Sequence, residues 1–361
     1  METHELAVPL IAQQTPYWCW AASAQMVLVY YGAKEYESPK DQCRIASVHG
    51  VDCCSDGHCD DPDCRAGDPK KALDKFGPKY NVPLNDYPSN QKISFKSICS
   101  EIDNKCPIIV VWLFKDDEGK PAGFHSVVVV GYEIIGTKRF VIINNPAPVG
   151  HGSRCAISYE CFSKQYVSQL FCSQQPEYGV DSPAPTAVRK TEASPLERFQ
   201  RIAVQRVRAR VDDVHRVGEP IRVVALADLH QDKPQTSQLI YPVLTRQEHV
   251  LTTFELSRDD ESEPDDDPTW NLCCVGGDDL YHCLSDVRRA HASRSGLEPP
   301  KYFAVSEPSL GLWFVGVERD DGIALIPVSD VRAAGWSAGI EVEWAEVIEK
   351  LQPLVSARRG V

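Results

Sequence analysis

Apolar residues fall into short separate runs whose spacing changes along the chain, and each change marks a different element. After Cys19 the stretch WAASAQMVLVYYG combines small and helix-favouring side chains and stops at Gly32, a suitable terminator, which predicts one helix near the N-terminus. Further on, PIIVVWLF, SVVVVGYE and RFVIINN are β-branched runs bounded by Pro, Gly and Asn, and they predict strands. Between helix and strands, residues 43–107 hold no sustained period and read as irregular.

In the C-terminal half, RIAVQRVRARV, RVVALADL, LIYPVL and HVLTTFEL predict strands or short helices, and GLWFVGVE with GIALIPVS predicts a hairpin across Arg319 to Gly322. Trp344, Val347, Ile348 and Leu351 fall at i, i+3, i+4 and i+7, which predicts a closing amphipathic helix. Between Cys172 and Phe199 the text is rich in Pro, Ser, Ala and charge with no apolar period, as an interdomain linker reads. The expected organisation is therefore α+β, with one domain over 1–173, a linker over 174–198 and a second α+β domain over 199–361. No chemistry stands out in that second domain.

Composition narrows the class. A chain of 361 residues suffices for two or three domains, and 43% hydrophobic with 25% charged residues matches ordinary globular protein. No apolar run approaches the roughly 18 residues of a membrane helix, so no membrane span is expected. The net charge of −13 argues against a nucleic-acid partner, because phosphate binding needs clustered Lys and Arg. Most of the acid excess follows residue 175, partly in DDESEPDDD at 259–267, which reads as a solvated loop. The opening METHELAVPLIAQQ has neither a basic n-region nor an apolar h-region, so the expectation is no Sec signal peptide, a chain cytoplasmic as synthesised, and any export by a signal-less route. Oligomeric state is not encoded in any feature of the text.

The candidate chemistry begins at Cys19, in QQTPYWCWAAS, where a thiol at a helix N-terminus meets the positive end of the macrodipole and unsatisfied N–H groups. Both stabilise thiolate. Six residues upstream, the Gln13 side-chain amide could join the Cys19 backbone N–H in an oxyanion hole. A nucleophile also needs a base that returns the proton, and GFHSVVVVGYE sets His125 at the mouth of an apolar strand. RFVIINNPAP ends another strand with Asn144 and Asn145, either of which could orient the imidazole. Singly, each residue has a plainer role: packing thiol, edge-strand histidine, turn asparagine, and core for Trp18 and Trp20. The joint order Gln, Cys, His, Asn is what favours catalysis.

At these residues the chain resembles the papain-like cysteine peptidases. Within them it is most similar to the bacterial C39-like and AvrRpt2-like group, with its Gln-x5-Cys-Trp-Ala-Ala opening and His-x-Val-Val-x-x-Gly-Tyr strand, over roughly residues 5–172. The resemblance implies a helix bearing the cysteine packed on an antiparallel sheet, a peptide or protein substrate and no cofactor. It implies Cys19 as nucleophile, His125 as general base and acid, Gln13 as oxyanion donor and Asn145 as the third member. This group more often has Asp at that last position. Asn fixes the ring but supports the imidazolium less.

Eleven of the fourteen cysteines lie at or before Cys172. Cys43, Cys53, Cys54, Cys59 and Cys64 share a loop with His49 and His58, without a CxxC pair. Disulfides, a metal site and free thiols all remain open for this insert, and connectivity is unreadable. Cys99, Cys106, Cys155, Cys161 and Cys172 could supply further bridges, while Cys273, Cys274, His282 and Cys283 read as packing residues before metal ligands. The rival functions are a papain-like module that binds without turnover and a metal-binding regulatory protein built on the insert. Within the enzyme reading, deamidation or transfer to an amine would use the same thioester.

Overall fold

The computed structural model describes residues 2–55, 62–65, 67–83, 92–115, 121–170, 204, 216–226, 229, 236–247, 249–258, 270–276, 278–295, 302–307, 310–319, 322–331 and 334–359. The linker 174–198, the acidic run 259–267, most of RIAVQRVRARV, and Cys59, Cys172 and His58 lie outside them.

The architecture is mixed, with helices around a large, mostly antiparallel sheet. In the N-terminal half the strands are β1 (Glu2–Glu5), β2 (Ile108–Lys115), β3 (Pro121–Ile135), β4 (Lys138–Asn145), β5 (Ser153–Ser158) and β6 (Tyr166–Leu170). The C-terminal half adds β7 (Arg216–Val217), β8 (Ile221–Ala225), β9 (Thr236–Leu244), β10 (Val250–Arg258), β11 (Trp270–Gly276), β12 (Tyr302–Glu307), β13 (Leu312–Arg319), β14 (Gly322–Pro327) and β15 (Val342–Glu343). Their order is β15-β14-β13-β12-β8-β9-β10-β11-β5-β4-β3-β2-β6, with β1 beside β3 and β7 beside β9. The β13–β14 hairpin turns between Arg319 and Gly322, as its sequence predicts.

Helices of the N-terminal half are α1 (Cys19–Tyr30), α2 (Gln42–Ala46), α3 (Pro62–Arg65), α4 (Pro69–Phe76), α5 (Phe95–Asp103) and α6 (Tyr159–Gln165). Residues 43–107 are thus less irregular than their lack of period implies. Asp68 accepts a hydrogen bond from the Lys70 N–H and Pro69 opens α4, while Ser94 accepts from the Ser97 N–H ahead of α5. Short capped helices escape a reading that looks for long periodicity.

The central strands are apolar at nearly every position because the sheet is covered on both sides. Met26 and Leu28 of α1 lie on one side with Ile109, Val128, Val130 and Ile142. Ile98 and Ile102 of α5 and Phe162 of α6 lie on the other with Ile108, Val110, Val127, Val129 and Ile143. Gly131 sits where β1 pairs with β3, opposite Glu5: a Cβ there would be 2.5 Å from the His4 carbonyl oxygen, so only glycine admits β1.

The two halves share backbone pairing. In β5 and β11, Ile157 faces Cys274, Ala156 faces Val275 and Cys155 faces Gly276. The closing helix Trp344–Arg359 packs on β3 and buries Val347 and Leu351, but Ile348 is exposed, so its apolar stripe is narrower than the sequence spacing predicts. Among the described residues no helix is long and apolar enough to cross a membrane.

Candidate active site

Cys19 is the first residue of α1 and carries a thiol outside the disulfide pairs. Trp18 stands at the cap position without a side-chain hydrogen bond to the helix, and no acidic residue occupies the first turn. The positive end of the helix is therefore neutralised by no side chain of its own, which favours a negative charge on the sulfur. Trp18 and Trp20 anchor this end: both are buried, Trp18 Nε1 donates to the Cys64 carbonyl at 2.8 Å, and the Trp20 ring lies where a side chain on Gly67 would be. Both are core, as the plainer reading of each has it.

α1 packs against β3, the strand that carries His125. β3 and β4 are antiparallel neighbours, with Val128 opposite Asn144, so the end of β4 comes back beside His125. There His125 Nε2 and Asn145 Oδ1 are 2.8 Å apart. An amide oxygen can only accept, so the ring carries its hydrogen on Nε2 and leaves Nδ1 as the acceptor in the neutral form. The same Asn145 oxygen accepts from the Ala147 N–H at 2.9 Å, which ties the side chain to the turn after β4.

Asn144 points elsewhere. Its Nδ2 donates to the carbonyls of Val8 and Pro9 at 3.2 and 3.1 Å, and its oxygen accepts from Arg154 Nε at 2.6 Å. Arg154 in turn pairs with Glu5 at 3.0 Å. Adjacent residues of one strand face opposite sides of the sheet, so only one of the two asparagines can reach the imidazole.

Gln13 is fully buried and held at both ends of its backbone: its N–H donates to the Pro146 carbonyl and its carbonyl accepts from the Gly150 N–H, each at 2.9 Å. Its side-chain Nε2 donates to the Thr15 carbonyl at 3.0 Å, which fixes the amide orientation and leaves the second N–H for another acceptor. The turn after Asn145 thus braces Gln13 and receives the Asn145 side chain. A separate cavity of about 410 Å³, lined by Arg222, Leu284, Arg288 and Tyr302 among others, includes none of these four residues.

The cysteine-rich insert contains two pairs at disulfide distance, Cys43 with Cys54 and Cys53 with Cys64. Cys161 pairs with Cys273 across the two halves. That corrects the reading of Cys273 as a packing residue grouped with Cys274, His282 and Cys283: Cys274 is a buried thiol, and Cys283 Sγ lies 3.3 Å from His151 Nδ1. The missed partner, Cys161, is over a hundred residues away in sequence, and no local spacing could have pointed to it.

Among known proteins, residues 5–169 match the family model described as the Peptidase_C39 like family. No curated protein matches the chain.

Proposed function

We propose, from the match of residues 5–169 to the Peptidase_C39 like family model, that this part of the chain is a cysteine peptidase that hydrolyses peptide bonds through Cys19, His125 and Asn145, with Gln13 as oxyanion donor. The observation that carries this reading is the 2.8 Å contact between His125 Nε2 and Asn145 Oδ1 on adjacent strands, one of which packs against the helix that begins at Cys19.

In the proposed cycle the Cys19 thiol gives its proton to His125 Nδ1, and the thiolate attacks the substrate carbonyl carbon. The electron pair moves to the carbonyl oxygen, where the remaining Gln13 N–H and the Cys19 backbone N–H would receive it. Collapse of this intermediate breaks the C–N bond, and the imidazolium protonates the departing amine. Water then attacks the thioester, His125 takes its proton, and the acid product leaves as the thiolate is restored. Asn145 acts throughout by holding the ring, since a fixed orientation avoids reorganisation in each proton transfer. The disulfide-distance pairs favour an oxidising compartment as the place of work.

The test is prolonged incubation of the full chain with an epoxide-bearing peptide probe at neutral pH, followed by mapping of the labelled residue by mass spectrometry. Label is expected on Cys19, lost in Cys19→Ala and slowed in His125→Ala. Label distributed evenly over Cys19, Cys99, Cys106 and Cys283 would remove the nucleophile assignment.

A further inference from the structure

A peptidase cleft has to admit an extended chain, yet Gln13 is 0% exposed and Cys19 and His125 are each 3% exposed. Part of the cover over Gln13 comes from the C-terminal half. A Cβ built on Gly311 would lie 3.1 Å from Gln13 Nε2 and 3.1 Å from the Ala147 Cβ, so the Gly311 backbone rests on the amide assigned to the oxyanion and on the turn that follows Asn145. Leu310, beside it, is fully buried in the apolar cluster that also contains Trp18, Trp20 and Val149. Gly311 has φ of +62°, a conformation a glycine adopts without strain, and a side chain there would require Gln13 or Ala147 to shift by a few tenths of an ångström.

Two further contacts join the same half to elements that carry or brace the site. The closing helix packs on β3, which carries His125, and Cys283 meets His151 in the turn that braces Gln13.

From these contacts we propose that the Leu310–Gly311 turn is an intramolecular ligand of the Cys19 cleft, an autoinhibitory contact that substrate has to displace. This rests on the cysteine peptidase reading of Cys19. An apolar residue followed by a glycine fits the site because the leucine supplies burial and the glycine lets main chain approach the Gln13 amide. The C-terminal half then sets how often the cleft is open. A closed fraction lowers the apparent reactivity of the site in proportion to the population that remains open.

The experiment compares the rate of Cys19 alkylation by the peptidyl epoxide in the full chain, in Leu310→Asp and in Gly311→Ala, alongside peptide hydrolysis. Burying a carboxylate at position 310 is unfavourable, so the turn leaves the cleft and alkylation rises by about tenfold or more. Gly311→Ala forces a Cβ against Gln13 and Ala147 and raises the rate in the same direction by a smaller factor, with far-UV circular dichroism and thermal melting checking that each variant is folded. Rates within twofold of the parent in a folded Gly311→Ala, or a decrease, would overturn the proposal, and so would an unchanged rate in Leu310→Asp. The two readings fail separately. Fast alkylation of Cys19 in Leu310→Asp with no peptide turnover keeps the plug and removes the peptidase, whereas equal turnover by parent and variants keeps the peptidase and removes the plug.

Discussion

Asn144 and Asn145 are neighbours with the same side chain, and the geometry separates their roles sharply enough to measure. Replacing Asn145 by Ala removes the oxygen that accepts from His125 Nε2 at 2.8 Å and from the Ala147 N–H at 2.9 Å. A hydrogen bond to a ring that becomes charged during turnover contributes about 2 kcal/mol, which corresponds to a roughly thirtyfold lower kcat/KM with residual activity. Asn145→Asp retains an acceptor for the ring and should recover most of that loss. Replacing Asn144 by Ala instead leaves the Val8 and Pro9 carbonyls and Arg154 Nε without their amide partner. At about 1 kcal/mol for each of three contacts this costs about 3 kcal/mol of stability, or roughly 4 °C in Tm for a protein of this size. The assay is hydrolysis of a quenched fluorescent peptide pool, normalised to the fraction of folded protein, beside a thermal melt. The expected pattern is a rate defect without a large melting shift for Asn145→Ala, and the reverse for Asn144→Ala. Exchange of the two patterns would refute the orientation argument.

Three other outcomes follow from the same coordinates. Gln13→Ala should lower kcat by about a hundredfold or more while KM changes little, because the donor is needed only when negative charge develops on the substrate oxygen; a variant that raises KM alone would place Gln13 in substrate binding. Burial between Ile240 and Cys274 pushes the Glu255 carboxyl up from 4.5 to about 7. The folded state therefore holds that proton more tightly than the unfolded state, and stability falls as pH rises from about 4.5 through 7. Glu255→Gln should raise the unfolding free energy at pH 8 by at most about 3 kcal/mol and leave it little changed near pH 4, as urea titrations at the two pH values would register. Opening the Cys43–Cys54 or Cys53–Cys64 loop, each with a separation of 11 residues, should cost about 3 kcal/mol, and opening Cys161–Cys273, with a separation of 112, about 5 kcal/mol. Denaturant midpoints unchanged by a thiol reductant would contradict all three pairings.

The elements that carry the site were legible because local rules govern them. Helix α1 starts at Cys19 and the chain leaves it at Gly32 with φ of +95°; β2 and β4 coincide with apolar runs that end at Pro, Gly or Asn. The choice between Asn144 and Asn145 was not legible, because it depends on which face of β4 meets His125, a matter of register with β3. The first strand was also hidden. ETHE has no apolar alternation, and β1 forms because Gly131 gives it room and His4 stacks on Tyr132. The β5–β11 pairing and the Gly311 contact join residues more than a hundred positions apart, for which periodicity and turn chemistry carry no signal.

The seam between β5 and β11 has a consequence for how the chain survives damage. A protease cutting between Leu170 and Arg216 would sever the polypeptide, yet the fragments would stay married by main-chain hydrogen bonds and the Cys161–Cys273 bridge. Gel filtration would report one particle where a reducing gel reports two bands. The two halves would then be held together by the sheet and the bridge rather than by the peptide chain between them.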